Sequence, residues 1–204
     1  YSYSNQSQVM LWNLSRLGNC LLLLVEKGRK ETTDTMNQEL EAFRTLFEQR
    51  LTSKMLKKIG IFDETQTRDP ELVQKWLRYL ETEELDYTLS FRQLAKRVDQ
   101  APEYNYFKQS KAFQDFYQLW QKRLYSQGLN ARTIQEGMNQ VNPAVIPRNH
   151  RIEEVIQAGL KDDLGPFHEM NTVLQSPFEV QEKFSSYQAP PRPEETVQAT
   201  FCGT

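Results

Sequence analysis

Cysteine and histidine are scarce in this chain of 204 residues, and their scarcity removes several chemistries at once. Cys20 and Cys202 are too few for a disulfide framework and too far apart for a metal site. His150 and His168 are likewise distant, with no Cys or His at ligand spacing from either. Long apolar runs are also missing. The longest, Cys20 to Val25, is six residues, against roughly 20 for a membrane-spanning helix. No charge of one sign dominates: the formal net charge is −2, so neither nucleic acid nor anionic lipid is indicated as a partner. There is no Gly-x-Gly-x-x-Gly, no Gly-Lys-Ser/Thr phosphate loop and no Gly-x-Ser-x-Gly elbow. Carboxylates are plentiful, but pairs such as Glu153/Glu154 and Asp162/Asp163 are adjacent, and neighbours on a helix do not converge on one substrate. No internal repeat, initiator Met or signal peptide is visible, and the opening at Tyr1 suggests a fragment or a processed product.

What remains is a succession of helical patterns without a convincing strand. Val9, Leu11, Leu14, Leu17, Leu21 and Leu24 or Val25 recur at three- and four-residue spacing, and the leucines from Leu21 to Leu24 predict burial on most sides. Gly28, among Lys27, Arg29 and Lys30, is a helix stop. A second helix is predicted from Thr33 or Asp34 through Met36, Leu40, Phe43, Phe47, Leu51 and Met55 to Gly60. Asp69-Pro70-Glu71 reads as N-cap, first-turn proline and acidic first turn, opening a helix with Leu72, Val73, Trp76, Leu77 and Leu80. Asp86 or Thr88 caps a helix with Leu89, Phe91 and Leu94, which Ala101-Pro102 breaks. An aromatic helix with Phe113, Phe116, Tyr117, Trp120 and Leu124 ends at Gly128, and a shorter one covers Ala131 to Gln140. Gly165-Pro166 opens a last helix, which Ser176-Pro177 ends. The fold class is therefore mainly α. The domain reading is a helical region over 1–180 and an extended, Pro-rich tail over 181–204, since Ala189-Pro190-Pro191-Arg192-Pro193 favours an open chain over a packed element.

The most distinctive stretch runs from Asn142 to Glu154. Pro143 and Pro147 push Asn142 and Ile146 away from helical geometry, Asn149 offers an N-cap oxygen, and Ile152, Val155, Ile156 and Leu160 form one stripe of the helix that follows. Local physics makes it a rigid connector ending in a capped helix. Its wording, Asn142-Pro143-x-x-Ile146-Pro147-Arg148-Asn149-His150, also resembles the C-terminal signature of the selenoprotein O (SelO/YdiU) family. Tyr1 to Leu17, Leu85 to Leu94, Trp120 to Leu124 and Phe201-Cys202-Gly203-Thr204 resemble further blocks of that family, in the family's order.

The resemblance implies a kinase-like (pseudokinase) fold, of which this chain would be the helical lower-lobe portion with C-terminal helices and a tail. It implies a protein nucleotidyltransferase that uses ATP with Mg2+ or Mn2+ to transfer AMP to Ser, Thr or Tyr hydroxyls of proteins. The residues that hold ATP and metal in the family are expected upstream of Tyr1, so no catalytic, cofactor-binding or metal residue is assigned within this chain. Expected partners are the protein substrates and the N-terminal catalytic portion of the same polypeptide, with neither nucleic acid nor membrane. The expected location is the bacterial cytoplasm, or the mitochondrion if the source is eukaryotic. Cys202 is the redox candidate, because the family can use a residue at that place for regulation. The alternative is a stand-alone, non-catalytic helical interaction module.

Individual side chains carry simpler expectations. His150 is expected to begin a helix and bond locally rather than reach a cleft, and Arg148 to pin the connector by a salt bridge rather than hold a phosphate. Trp12, Trp76 and Trp120 are expected in the core, Cys20 buried, and Lys54, Lys57 and Lys58 on a solvated helix face.

Overall fold

The structure, a computed structural model, describes residues 5–26, 28–63, 66–99 and 106–197, and all their regular elements are helices. The chain divides into two compact units, residues 1–55 and 56–204.

In the first unit, α1 (Gln6–Leu21) runs into a three-ten turn (Leu22–Leu24), and α2 (Arg29–Lys58) follows. The second helix starts four residues earlier than its periodicity suggests. Gly28 takes φ +72°, which suits glycine, and its carbonyl accepts the Thr32 N–H at 3.0 Å, closing the first turn there. Gly18 is the only residue of α1 that is buried, and a methyl at its Cα would meet the Met36 side chain. The expected burial of the leucine run is not found: Leu17 and Leu21 are half exposed, and Leu23 and Leu24 are 77% and 78% exposed. Cys20 and Trp12 are exposed as well, Trp12 with the Arg16 guanidinium 5.4 Å from its ring centre. Two helices can shield only the faces they turn to each other, which leaves the remaining apolar positions of a broad stripe in water.

The second unit has a real core. It contains α3 (Asp69–Thr82), α4 (Tyr87–Ala95), α5 (Lys111–Ser126), α6 (Ala131–Val141), α7 (Asn149–Gly159) and α8 (Gly165–Leu174). Trp76 sits at its centre, its ring 4.9–5.9 Å from those of Tyr79, Phe91, Phe107 and Phe116. Trp120 stacks on Phe116 and donates its indole N–H to the Ile59 carbonyl at 2.6 Å, so both tryptophans of this unit are core residues as expected. The end of α2 is held by the same helix. The Gln127 side-chain amide donates to the Gly60 carbonyl and its oxygen accepts the Phe62 N–H. Asp69 does not cap α3 through its side chain. Its carboxylate is buried, accepts the Gln66 N–H, and is gripped by one edge of the Arg123 guanidinium, Nε and Nη2, at 2.8 and 3.1 Å. Asp86 does cap α4, accepting the Leu89 N–H at 2.7 Å. That helix ends at Ala95; Ala101-Pro102 lies outside the described residues.

Beyond α8 the chain packs where an open arm was expected. Glu182–Tyr187 forms a three-ten segment and Pro193–Glu195 a further turn. Tyr187 is buried with Val145, Met170 and Val173, and Ile152, Val155, Leu174 and Phe184 pack around them. Proline-rich composition disfavours helix, but one buried aromatic is enough to seat a short segment. Ile156 and Leu160, the other half of the expected α7 stripe, are exposed.

Gly60 and Gly128 both have positive φ, but only Gly60 is crowded, with Ile134 and Met138 atoms 2.9 Å from where a Cβ would stand. Gly60→Ala is therefore expected to cost about 1–3 kcal/mol in denaturant unfolding, against about 1 kcal/mol for Gly128→Ala. Equal losses would mean that the close packing at Gly60 relaxes freely.

Candidate functional site

The connector from Asn142 to His150 gathers several of the second unit's polar side chains. Asn142 leaves α6 in an extended conformation (φ −111°, ψ 108°), as the following proline requires. It is fully buried, and its amide donates to the Lys58 carbonyl at 2.8 Å. The carbonyls of Asn139, Asn142 and Phe178 accept from one nitrogen of Arg92, which thereby ties α4 to the end of α6 and to the segment after α8. The Ala144 and Val145 N–H groups both donate to the Pro177 carbonyl. Pro143 is half-buried and Pro147 exposed, so their contribution is backbone restriction rather than contact.

Arg148 closes the joint. Its guanidinium meets both oxygens of Asp86 at 2.7 and 3.1 Å and donates to the Gln188 carbonyl at 3.1 Å. The Asp86 carboxyl is pushed up by burial, but the hydrogen bonds from Arg148 and from the α4 backbone outweigh this and hold it below the usual carboxylate range. The salt bridge expected of Arg148 is present, with Asp86 as its partner. Asn149 is corrected: it is the first residue of α7, exposed, and Arg148 occupies the cap position without a side-chain bond. His150 stands in the first turn of α7, as expected. It is 5% exposed and its Nε2 has no hydrogen-bond partner, so it does not bond locally through that atom. Burial and the Arg151 charge, aided by Arg148, depress its basicity against the opposing pull of Glu195 and Glu154.

Sequence alone missed three participants. Arg92 looks like any surface arginine of an amphipathic helix. Arg151 pairs with Glu154 and also reaches the Ser186 carbonyl, lying over the Tyr187 ring. Lys58 departs from the solvated face assigned to it: its ammonium lies 4.5 Å from the Phe91 ring centre and 5.7 Å from that of Tyr87, and burial lowers its pKa to about 8. Nothing in the spacing of Lys54, Lys57 and Lys58 separates the third from the other two.

Chemically the constellation is a set of donors satisfied mainly by backbone carbonyls and one carboxylate. Among the described residues no group of His, Cys, Asp and Glu is placed to hold a metal ion. His168 is exposed on α8 beside Phe167 and joins none of these groups. Cys202 lies outside the described residues.

Two outcomes follow from this geometry. Arg148→Met is expected to lower stability by about 2–4 kcal/mol, the lower part of the range for breaking a buried pair because Asp86 stays partly wet. Arg148→Lys should recover only a fraction, since an ammonium cannot keep the two-pronged contact. Because folding depresses the His150 pKa, the unfolded chain takes up the proton first as acid is added. The stability His150 allows is complete above its ordinary value near pH 6.5 and falls as pH drops below it. Urea midpoints from pH 7.5 to 5 should show that fall, and His150→Gln should flatten it; an unchanged slope would assign the fall to other groups.

The model of the family described as "Protein adenylyltransferase SelO" matches residues 1–175. A "Protein nucleotidyltransferase YdiU" of Rhodopseudomonas palustris (strain ATCC BAA-98 / CGA009) is 39% identical over 209 residues, covering all of this chain and 42% of the relative. Proteins of the same name in Agrobacterium fabrum (strain C58 / ATCC 33970) and Bradyrhizobium sp. (strain BTAi1 / ATCC BAA-1182) are 37% and 36% identical with the same coverage. The chain thus spans less than half the length of the curated relatives it matches. A connector built from Asn142, Arg148 and their backbone acceptors, within a family match that reaches from residue 1 to residue 175, places the chain in the SelO protein adenylyltransferase family.

Proposed function

We propose that this chain is the C-terminal helical part of a protein nucleotidyltransferase that transfers AMP from ATP to Ser, Thr or Tyr hydroxyls of other proteins. The observation that carries this is the match along the entire chain to proteins named as protein nucleotidyltransferases, covering 42% of their length. In such a reaction the protein hydroxyl attacks the α-phosphorus, the bond to the β,γ-phosphates breaks, and pyrophosphate leaves as the hydroxyl proton is lost. The work is positioning and charge neutralisation.

To the described residues of this chain we assign positioning. They offer no cluster fitted to Mg2+ or Mn2+, and no residue here is assigned to the metal or to ATP. The Asn142–Arg148 joint fixes α4, α6 and α7 as one body, the kind of base a kinase-like lower lobe needs beneath its active site. We place the catalytic groups in the remaining part of the same polypeptide, its setting in the bacterial cytoplasm, and redox control at Cys202.

The test uses the full-length product of the gene with ATP labelled at either the α or the γ position and a mixture of candidate protein substrates. Label is expected in protein from the α position and not from the γ position. Transfer of γ label would overturn the proposal in favour of a kinase. The 204-residue chain alone is expected to transfer neither label. If the gene instead opens close to Tyr1, with no further coding sequence, the stand-alone interaction module is the better account. For Cys202, Cys202→Ser is expected to abolish an oxidation-dependent shift in non-reducing electrophoresis of the full-length protein; identical mobility would remove the redox role.

A further inference from the structure

The first unit carries an apolar groove that nothing within that unit fills. It has a volume of about 480 Å³ and is walled by Leu14, Leu17 and Leu21 of α1 and by Met36, Leu40 and Phe43 of α2. A second hollow of about 410 Å³ continues from Phe43 past Leu11 and Phe47. From Leu11 to Leu21 the groove spans ten residues of α1, roughly 15 Å, or nearly three helical turns. The floor is Gly18, whose missing side chain lets the Met36 methyl approach. Such a contiguous apolar surface is unusual outside an interface, with Leu17 and Leu21 half exposed.

The rim has a sign. Glu31 and Glu39 of α2 line the first hollow, and neither carboxylate has an ionic partner among the described residues. Farther along, Arg44 and Glu48 already neutralise each other at 3.4 Å. An occupant that covers the leucines therefore also meets two unpaired carboxylates two turns apart on the same side. The relatives supply the candidate: this chain matches them along its whole length, groove included, yet more than half of their sequence lies outside it.

We infer that the α1–α2 groove is the seat of an amphipathic helix from the part of the same polypeptide outside these 204 residues, with apolar side chains at i, i+3 or i+4, and i+7 and Lys or Arg beside Glu31 and Glu39. This rests on the reading of the chain as part of a longer enzyme, but it concerns packing rather than catalysis. A helix of two to three turns matches the groove's length, and its basic flank is complementary to the rim. Burying the leucine stripe from both partners supplies the hydrophobic stabilisation the hairpin lacks by itself.

The experiment couples carboxylates to amines with a zero-length carbodiimide in the full-length protein and maps the joined peptides. Glu31 or Glu39 is expected to be joined to lysines of one helix outside this chain, and Glu31→Gln with Glu39→Gln should remove those products. A second measurement covers the case in which the occupant presents only arginine. Leu17→Cys in full-length protein should react with a maleimide at least tenfold more slowly than in the denatured protein. Coupling that appears only between copies and grows with concentration would assign the groove to a dimer and overturn the inference. So would coupling confined to lysines of this chain, or maleimide reaction at the denatured rate. No ATP is needed for either readout, so a protein that modifies no substrate can still pass, and an active one can still fail.

Discussion

The second unit depends on the pairing of Arg148 with Asp86, because each partner does a second job. Asp86 caps α4 while it neutralises Arg148, and Arg148 holds the Gln188 carbonyl while it neutralises Asp86. The start of one helix, the end of the connector and the returning C-terminal segment thus share one charge pair. A surface ion pair contributes little to stability, whereas this guanidinium is almost fully withdrawn from water, with both terminal nitrogens on fixed acceptors and only its Nε without a partner. Losing Asp86 strands the Arg148 charge in a nearly dry place, whereas losing Arg148 leaves a carboxylate that is partly wet.

Around that pair the unit is arranged as two apolar masses. One is the aromatic cluster about Trp76 and Trp120, contributed mainly by α3, α4 and α5. The other is the smaller cluster of Val145, Met170, Val173 and Tyr187. The connector belongs to both. Asn142 is tied to the backbone at the end of α2, and Val145, three residues later, is buried in the second cluster. Its two prolines make sense as stiffeners for a segment that must reach between the clusters without sagging. The first unit has no comparable mass, and Leu17, Leu21, Leu23 and Leu24 are among the apolar residues it leaves exposed.

Much of the helix order was legible because caps and stops are local. Asp86 before Leu89, the pause at Gly60 and the break after Gln140 each depend on a few neighbouring residues, and the structure places them as the sequence suggests. Burial was less legible. Leu21 to Leu24 reads as core by composition, but burial is a property of what lies opposite, and that cannot be read from the helix itself. The polar joint was half legible. Asp86 could be named as a cap and Arg148 as a group seeking an anion, yet their pairing spans 62 residues and leaves no local signature. Arg92 left none at all. Tyr187 was obscured by the prolines after it, which describe the backbone around that residue and not the side chain's destination. The family wording of the connector was highly visible, although the residues that spell it build a joint and not a reactive centre.

The joint has one further property. Its donors are specific side chains, whereas most of its acceptors are backbone carbonyls, at Lys58, Asn139, Phe178, Ser186 and Gln188. A carbonyl persists whatever side chain its residue carries. The acceptor half of the joint can therefore drift in sequence at almost no cost, while Asn142, Arg92, Arg148 and Arg151 cannot. The instructions for holding these helices together are written in four side chains, and they are read by a backbone that is indifferent to its own spelling.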